Sequence, residues 1–240
     1  MSVRKHIPNA ITSLNVLCGI VGVVFAFKGR LDTAFALMLA GAFFDYFDGF
    51  AARMLGAYSP MGKELDSLAD LTTFGILPSV MMYVLMSYST CSEALCLIPL
   101  IYAVFSALRL AKFNVDERQN TSFLGIPTPA GAMLIGSLCS FVRCTPSSFL
   151  AGACSTVWFI PALAVALSLL LVSEMPAFSF KISKDHKADK STSAKRILLL
   201  AAGVLAVAFV CINGFRWTLA VFLIFACYIL MNIIFRIFRV

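Results

Sequence analysis

The stretch DYFDGFAARMLGAYSPMGKELDSLAD, residues 45–70, places four aspartates and an arginine in a chain that is otherwise largely apolar. Of the 240 residues, 60% are hydrophobic and only 13% are charged, and the mean hydropathy is +0.92. This composition lies outside the range of soluble domains and indicates an integral membrane protein. Because a charge inside the hydrocarbon layer costs at least ~2.5 kcal/mol, the four carboxylates need a physical reason.

The apolar runs on either side of this stretch predict the fold class. About eight runs approach the ~20 residues that a helix needs to cross a bilayer. They cover residues 10–27, 33–54, 67–87, 94–110, 126–142, 156–172, 197–212 and 217–234. The first run resembles a signal peptide, but no small-x-small cleavage site closes it, so we interpret it as an uncleaved helix. We therefore predict an all-α, polytopic transmembrane helical bundle.

One polar segment divides these runs. SFKISKDHKADKSTSAKR, residues 179–196, is rich in lysine and serine and is typical of a cytoplasmic linker. We predict a membrane core over 1–178, a basic linker over 179–196 and an additional transmembrane hairpin over 197–240.

The basic residues predict the orientation. With a cytoplasmic N-terminus and eight spans, 19 basic residues divide unevenly, and all but Lys28, Arg30, Arg143 and Arg216 fall on the cytoplasmic side. This bias follows the positive-inside rule, and it places both termini and the acidic stretch in the cytoplasm. The net charge of +7 then indicates attraction to anionic membrane lipids. Nucleic-acid binding is not expected, because no single basic patch interleaved with aromatic residues exists.

The cysteines and histidines do not form a metal-binding pattern. The eight cysteines contain no C-x-x-C pair, and the two histidines lie far apart, so a zinc or iron–sulfur site is not expected. A disulfide remains open among the cysteines predicted near the outer ends of the helices, which are Cys91, Cys96, Cys144 and Cys154.

The polar residues of the opening stretch share helix faces. On the first helix, spacings of i+3, i+4, i+7 and i+8 place five residues on one face: Asp45, Asp48, Gly49, Ala52 and Arg53. On the next helix the face carries Gly62, Asp66 and Asp70. We predict Gly56 as the helix C-cap, and Ser59 with Pro60 as the start of the following helix. The two acidic faces should therefore meet across a short turn.

Clustered carboxylates in this setting indicate a metal site. Arg53 and Lys63 cannot neutralise four repelling aspartates, whereas two divalent cations can. Carboxylate oxygens suit Mg²⁺ or Mn²⁺, and two metals about 4 Å apart are a device for phosphoryl transfer. Gly49, Ala52 and Gly62 would let a phosphate approach the backbone, and Arg53 would hold a phosphate oxygen.

Other classes of protein also place aspartates in membranes. A lone D-x-x-D-G could be a structural ion pair, but the complete spacing D-x2-D-G-x2-A-R-x8-G-x3-D-x3-D is far more specific. A divalent-cation transporter would use the carboxylates without chemistry, yet an arginine beside its site would repel the ion. A prenyltransferase would need two separate acidic motifs, and one is present.

The complete pattern resembles the CDP-alcohol phosphotransferase family, with every motif position filled. The resemblance implies a six-helix membrane core, usually a homodimer, that takes a CDP-linked lipid as donor. It implies two divalent cations held by Asp45, Asp48, Asp66 and Asp70, with Asp70 also the base that deprotonates the acceptor hydroxyl. It implies CDP-lipid binding by Gly49, Ala52, Arg53 and Gly62.

Four further stretches resemble the branch of this family that uses serine. They are IPNAITSLN (7–15), SALRLAKFNV (106–115), FLGIPTPAGA (123–132) and LLVSEMPAFSFK (170–181). The implied activity is transfer of the phosphatidyl group from CDP-diacylglycerol to the hydroxyl of L-serine, giving phosphatidylserine and CMP, in a bacterial inner membrane. The same transfer to glycerol 3-phosphate or inositol phosphate is the alternative within the enzyme class.

The acceptor site is predicted at the cytoplasmic end of the fourth run. Serine carries a carboxylate, and Arg109, Lys112 and Asn114 lie on the same side of the membrane as the aspartates. Arg109 could bind the serine carboxylate or the lipid phosphate through two hydrogen bonds. The alternative is that Arg109 and Lys112 only anchor the helix end at the membrane surface.

Overall fold

The computed structural model describes residues 6–88, 92–115, 125–174 and 190–237, with the backbone alone over 190–198 and at 237, and every regular element in these ranges is helical. The helices are α1 (His6–Phe27), α2 (Leu31–Leu55), α3 (Pro60–Asp70), a π-helix (Leu71–Ile76), α4 (Leu77–Ser87), α5 (Glu93–Leu97), a 3₁₀-helix (Ile98–Leu100), α6 (Ile101–Val115), α7 (Thr128–Cys144), α8 (Phe149–Ser155), α9 (Phe159–Val172), α10 (Lys190–Ile212) and α11 (Trp217–Ile237).

Several of these helices are long and apolar enough to cross a membrane. Five described stretches qualify: His6–Phe27, Leu31–Leu55, Pro60–Ser87, Glu93–Val115 and Trp217–Arg236. A sixth is added if α7 and α8, which are bent by 104° from each other, form one span. The other two predicted runs lie on the shorter apolar helices Phe159–Val172 and Leu199–Ile212. The all-α, multi-pass prediction is confirmed, and the count of eight spans stays a prediction.

The turn between α2 and α3 forms as its residues predict. Gly56 adopts the left-handed conformation (φ 59°), and its N–H donates to the carbonyls of Ala52 and Arg53, which ends α2. The Ser59 side chain accepts a hydrogen bond of 3.0 Å from the Gly62 N–H, and Pro60 occupies the first turn of α3. Both cap predictions are confirmed, and the short turn brings the two acidic faces together.

The helix changes its winding directly after Asp70. Over Leu71–Ile76 it is a π-helix, and the Leu77 N–H donates to the carbonyl of Thr72, five residues back. Pro78 gives the physical reason, because its ring has no N–H and crowds the carbonyl of Phe74, which a regular α-helix would bring against it. The predicted run over 67–87 lies within one candidate span, Pro60–Ser87, and the change of winding inside it was not predicted.

Thr73, on the π-helix, holds this segment against α1 and α2. It is fully buried, and its hydroxyl donates to the side-chain and backbone oxygens of Asn15, at 2.8 and 3.0 Å. A Cβ placed on Gly41 would lie 2.6 Å from the Thr73 Cγ2, so only glycine permits this approach of α2. The three elements that carry or support the aspartates are therefore closely packed.

The C-terminal helices pack on the same core as the other spans. Tyr228 and Ile229 of α11 are 6% and 5% exposed and belong to the main hydrophobic cluster. The ring of Trp217 stacks on that of Phe35, on α2, with centroids 5.7 Å apart and an angle of 21° between the planes. Of the predicted linker over 179–196, residues 179–189 lie outside the described residues, and the backbone is helical from Lys190 onward.

The end of the bundle opposite the aspartates carries the predicted outer-side cations. Arg143, on α7, donates from Nε to the carbonyl of Gly29 at 3.2 Å and lies over the ring of Tyr88. Of the cysteines predicted near this end, Cys96, Cys144 and Cys154 lie among the described residues and are not bonded to one another, and Cys91 lies outside the described residues. The disulfide left open above is therefore not formed among Cys96, Cys144 and Cys154.

Candidate active site

Three of the four predicted aspartates form one cluster across the α2–α3 turn. Asp45 and Asp48 lie on α2 and Asp66 lies on α3, and each offers a carboxylate oxygen within 4.8 Å of the other two. Asp48 is only 6% exposed, and its Oδ2 has no hydrogen-bond partner among the described residues. Buried acceptors rarely stay without a partner, and carboxylate oxygens are ligands that hard divalent cations prefer. The cluster could therefore hold a metal ion.

Asp70 lies beside this cluster, at the junction of α3 and the π-helix. Its side chain interacts electrostatically with Asp45 and Asp66, and its buried Oδ1 also has no partner in the described part of the chain. Two unpartnered carboxylate oxygens among four clustered carboxylates fit the chemistry of Mg²⁺ or Mn²⁺. The structure thus brings all four predicted aspartates together.

The motif residues predicted to bind the nucleotide lie around the same site. A Cβ on Gly49 would lie 3.5 Å from Nη1 of Arg53, so the guanidinium extends along the face that also carries the aspartates. Ala52 is half-buried on that helix. A Cβ on Gly62 would lie 3.1 Å from the Asn9 Oδ1, because α1 packs against the start of α3 at this point. Gly49 therefore leaves room beside the α2 backbone, whereas the space at Gly62 is bounded by Asn9 and Ser59.

Arg109 lies inside the protein. It is 8% exposed, its Nη1 donates to the Thr128 Oγ1 at 2.6 Å, and its Nε has no partner among the described residues. It also interacts electrostatically with Asp70. A residue that anchors a helix end would extend its charge to water, so the anchoring alternative does not fit Arg109.

Lys112 and Asn114 have other partners. Lys112 Nζ lies 3.8 Å from Glu174 Oε1, the one ion pair found among the described residues. Asn114 donates from Nδ2 to the Ser67 Oγ at 2.9 Å, and its carbonyl accepts from Lys63 at 3.2 Å. These contacts join the end of α6 to α3 and to the segment after α9, whereas Arg109 interacts with Thr128 and Asp70.

Some residues near the site were missed at the level of sequence. Thr12, which is 3% exposed, lies within hydrogen-bonding reach of Asp48, and Asn9 lies beside Gly62. Asn9, Thr12 and Asn15 recur every three residues in an apolar helix, and this polar spacing could have indicated α1 as part of the site. Thr128 had no such signal, because its contact with Arg109 joins two separate helices.

The CDP-alcohol phosphatidyltransferase family model matches residues 5–170 of the chain. The chain belongs to this family. The match includes every residue of the aspartate site and Arg109, and it ends before α10 and α11. Helices α10 and α11 therefore lie outside the matched region.

Three relatives from distant organisms show how widely this similarity extends. The chain is 35% identical over 191 residues to a CDP-diacylglycerol–serine O-phosphatidyltransferase of Bacillus subtilis, and the match covers 80% of this chain and 98% of that protein. A protein of the same name from Mycobacterium leprae is 36% identical over 178 residues, which cover 71% of this chain and 57% of that protein. The relative of that name from Methanocaldococcus jannaschii is 31% identical over 186 residues, covering 75% and 80%.

Proposed function

We propose that this chain transfers the phosphatidyl group of CDP-diacylglycerol to the hydroxyl of L-serine, giving phosphatidylserine and CMP. The observation that carries the proposal is the meeting of four aspartates across the α2–α3 turn, facing a buried arginine. The names of the relatives from Bacillus, Mycobacterium and Methanocaldococcus support serine as the acceptor. They favour this reaction over transfer to glycerol 3-phosphate or inositol phosphate, and over cation transport.

Asp45, Asp48, Asp66 and Asp70 would hold two divalent cations, Mg²⁺ or Mn²⁺. When bound, such ions neutralise charge on the donor's phosphates and on the departing CMP. The carboxylate cluster and its two unpartnered oxygens support this assignment.

Asp70 is the proposed general base. Its carboxylate accepts the proton of the serine hydroxyl, and the serine oxygen forms a bond to the phosphorus nearest the diacylglycerol. The bond between that phosphorus and the oxygen bridging to CMP breaks, and CMP leaves with the electron pair. The unpartnered Oδ1 of Asp70, buried beside Arg109, supports this role.

The two substrates would contact different parts of the site, the motif residues of α2 and α3 and the polar residues of α6. Gly49, Ala52, Arg53 and Gly62 would bind the CDP portion of the donor. Arg109 would bind an anion, which is either the serine carboxylate or the lipid phosphate. It is buried, and its Nε donor has no partner among the described residues. Lys112 and Asn114, already bonded to Glu174 and Ser67, would close the edge of that site.

The setting of the enzyme is proposed from its charges and its family. We place it in a bacterial inner membrane among anionic lipids, with both termini and the active site in the cytoplasm. Lys63 and Arg109 lie at the end of the bundle that carries the aspartates, and Arg143 lies at the other end, which supports this orientation. A homodimer and the division into core, linker and hairpin remain proposals.

Release of CMP from membranes that contain the chain tests the reaction. With CDP-diacylglycerol and Mg²⁺ or Mn²⁺, we expect release with L-serine, none with glycerol 3-phosphate or inositol phosphate, and loss of release after chelation. Membranes with Asp66→Asn are the control for other host enzymes. Release with a different acceptor would overturn the choice of serine, and metal uptake into vesicles without a nucleotide would favour the transporter.

A further inference from the structure

Thr128, the first residue of α7, makes a buried contact that the proposed reaction does not yet use. It is fully buried, and its Oγ1 accepts the 2.6 Å hydrogen bond from Arg109 Nη1. Its carbonyl accepts a weaker hydrogen bond, of 3.4 Å, from the hydroxyl of the fully buried Tyr102. Because Tyr102 lies on α6 like Arg109, α6 contacts Thr128 through two side chains.

The hydrogen bond with Thr128 limits the positions that Arg109 can take. An arginine side chain can adopt many rotamers, and opposite charges attract strongly in a buried setting. Asp70 is the acidic group that interacts electrostatically with Arg109, and a direct ion pair would occupy the carboxylate proposed as the base. A hydroxyl at Nη1 holds the guanidinium without neutralising it, and the Nε remains unpartnered among the described residues.

We propose that Thr128 is a positioning residue, whose hydroxyl holds Arg109 so that its remaining donors bind the anion of a substrate. This inference rests on the anion-binding role proposed for Arg109. The anion is a carboxylate of the acceptor or a phosphate of the donor, and the two cases differ in which Michaelis constant depends on Thr128. A valine in place of Thr128 would keep the shape of the side chain but remove the acceptor, whereas a serine would keep the acceptor.

The test compares the steady-state kinetics of Thr128→Val, Thr128→Ser and Arg109→Ala in the full chain. We expect Thr128→Val to raise one Michaelis constant by about 10-fold or more, the size of the effect of a lost hydrogen bond to a charged group. Thr128→Ser should stay within about 3-fold of the wild type, since it restores that hydrogen bond. Thr145→Val, at the other end of α7, is the matched control and should match the wild type.

The substrate whose Michaelis constant rises identifies the anion: serine for the carboxylate, CDP-diacylglycerol for the phosphate. In the double variant, Thr128→Val should add nothing to Arg109→Ala, because residues that act through one another are not additive. Wild-type kinetics for Thr128→Val beside an impaired Arg109→Ala would overturn the positioning role. Unchanged Michaelis constants in Arg109→Ala would instead overturn the anion-binding role. If Thr128→Val does not fold, Thr128→Ala is the second variant, because it removes the same acceptor with a smaller side chain.

Discussion

At the scale of single residues, Asp70 has the most direct part in the proposed chemistry. It lies beside Asp45 and Asp66, where a carboxylate could bind metal, and it faces Arg109, where an acceptor would lie. Asparagine has nearly the same shape, but it cannot accept the proton of a hydroxyl. Substitution at Asp70 therefore separates the chemistry from the packing.

Asp70→Asn should lower kcat by about 100-fold or more, the size of the contribution of a general base. The measurement is CMP release at saturating serine, with the variant shown to be folded by its thermal midpoint in detergent. Asp32→Asn, in the first turn of α2, is the control and should keep wild-type turnover. Wild-type turnover in a folded Asp70→Asn would remove the base from the mechanism.

Gly41 tests the close packing around Thr73 on which the site is built. In Gly41→Ala the new Cβ would lie 2.6 Å from the Thr73 Cγ2 and 2.8 Å from the Asn15 Oδ1, so these buried groups must shift. We expect a loss of about 1–3 kcal/mol in the free energy of unfolding. Gly203→Ala, whose Cβ would meet only Ile224 at 3.9 Å, is the matched control and should not destabilise the protein. Equal thermal midpoints for the two variants would contradict the packing described here.

At the scale of elements, the site depends on how each helix ends and on what packs behind it. The caps at Gly56 and Ser59 set the α2–α3 turn, and the π-helix places Thr73 against α1. Behind α7, helix α11 packs on the core and brings Tyr228 into electrostatic reach of Arg109. The C-terminal hairpin thus packs behind α7, the helix that carries Thr128.

Trp217→Ala tests whether α11 contributes to the stability of the core. The indole stacks on the fully buried Phe35, and aromatic pairs contribute about 0.5–1.5 kcal/mol beyond the area they bury. We expect a lower thermal midpoint in detergent and faster proteolysis of the C-terminal hairpin. Trp158→Ala, at a position that is 68% exposed, should change neither. An unchanged midpoint for Trp217→Ala would mean that the hairpin is not coupled to the core.

At the scale of the whole molecule, different charged residues lie at the two ends of the helical bundle. The aspartates and Arg109 lie at one end, and Arg143, bonded to the α1–α2 turn, lies at the other. We propose that the end with the aspartates faces the cytoplasm, as the positive-inside rule favours. The number of crossings then decides on which side the chain ends.

Reporter fusions measure this orientation. With eight spans, a fluorescent protein fused after Val240 should fluoresce in the cytoplasm, and alkaline phosphatase at that position should be inactive. Alkaline phosphatase inserted after Pro146, between α7 and α8, should be active, because we expect the C-terminal end of α7 to lie at the outer face of the membrane. Activity of the C-terminal phosphatase fusion would show an odd number of crossings.

Much of the fold and part of the site could be predicted from sequence. The left-handed Gly56 and the capping Ser59 follow from preferences that act within a single turn of helix. The shared face of Asp45 and Asp48 follows from helical spacing alone. The π-helix could not be predicted, because whether Pro78 kinks, ends or widens a helix depends on what packs around it. The apolar run over 156–172 predicted a longer helix than α9, because apolar composition does not show where a helix begins.

The sequence by itself determined the class of protein, the acidic faces of α2 and α3 and the turn between them, since composition, helical period and caps are local properties. The tertiary structure alone decided that Arg109 is buried beside Asp70, that Thr128 holds it, and that α11 packs behind α7. Arg109 and Thr128 are 19 residues apart, and Thr73 and Asn15 are 58 apart. Such contacts depend on the mutual packing of helices, which no local preference specifies.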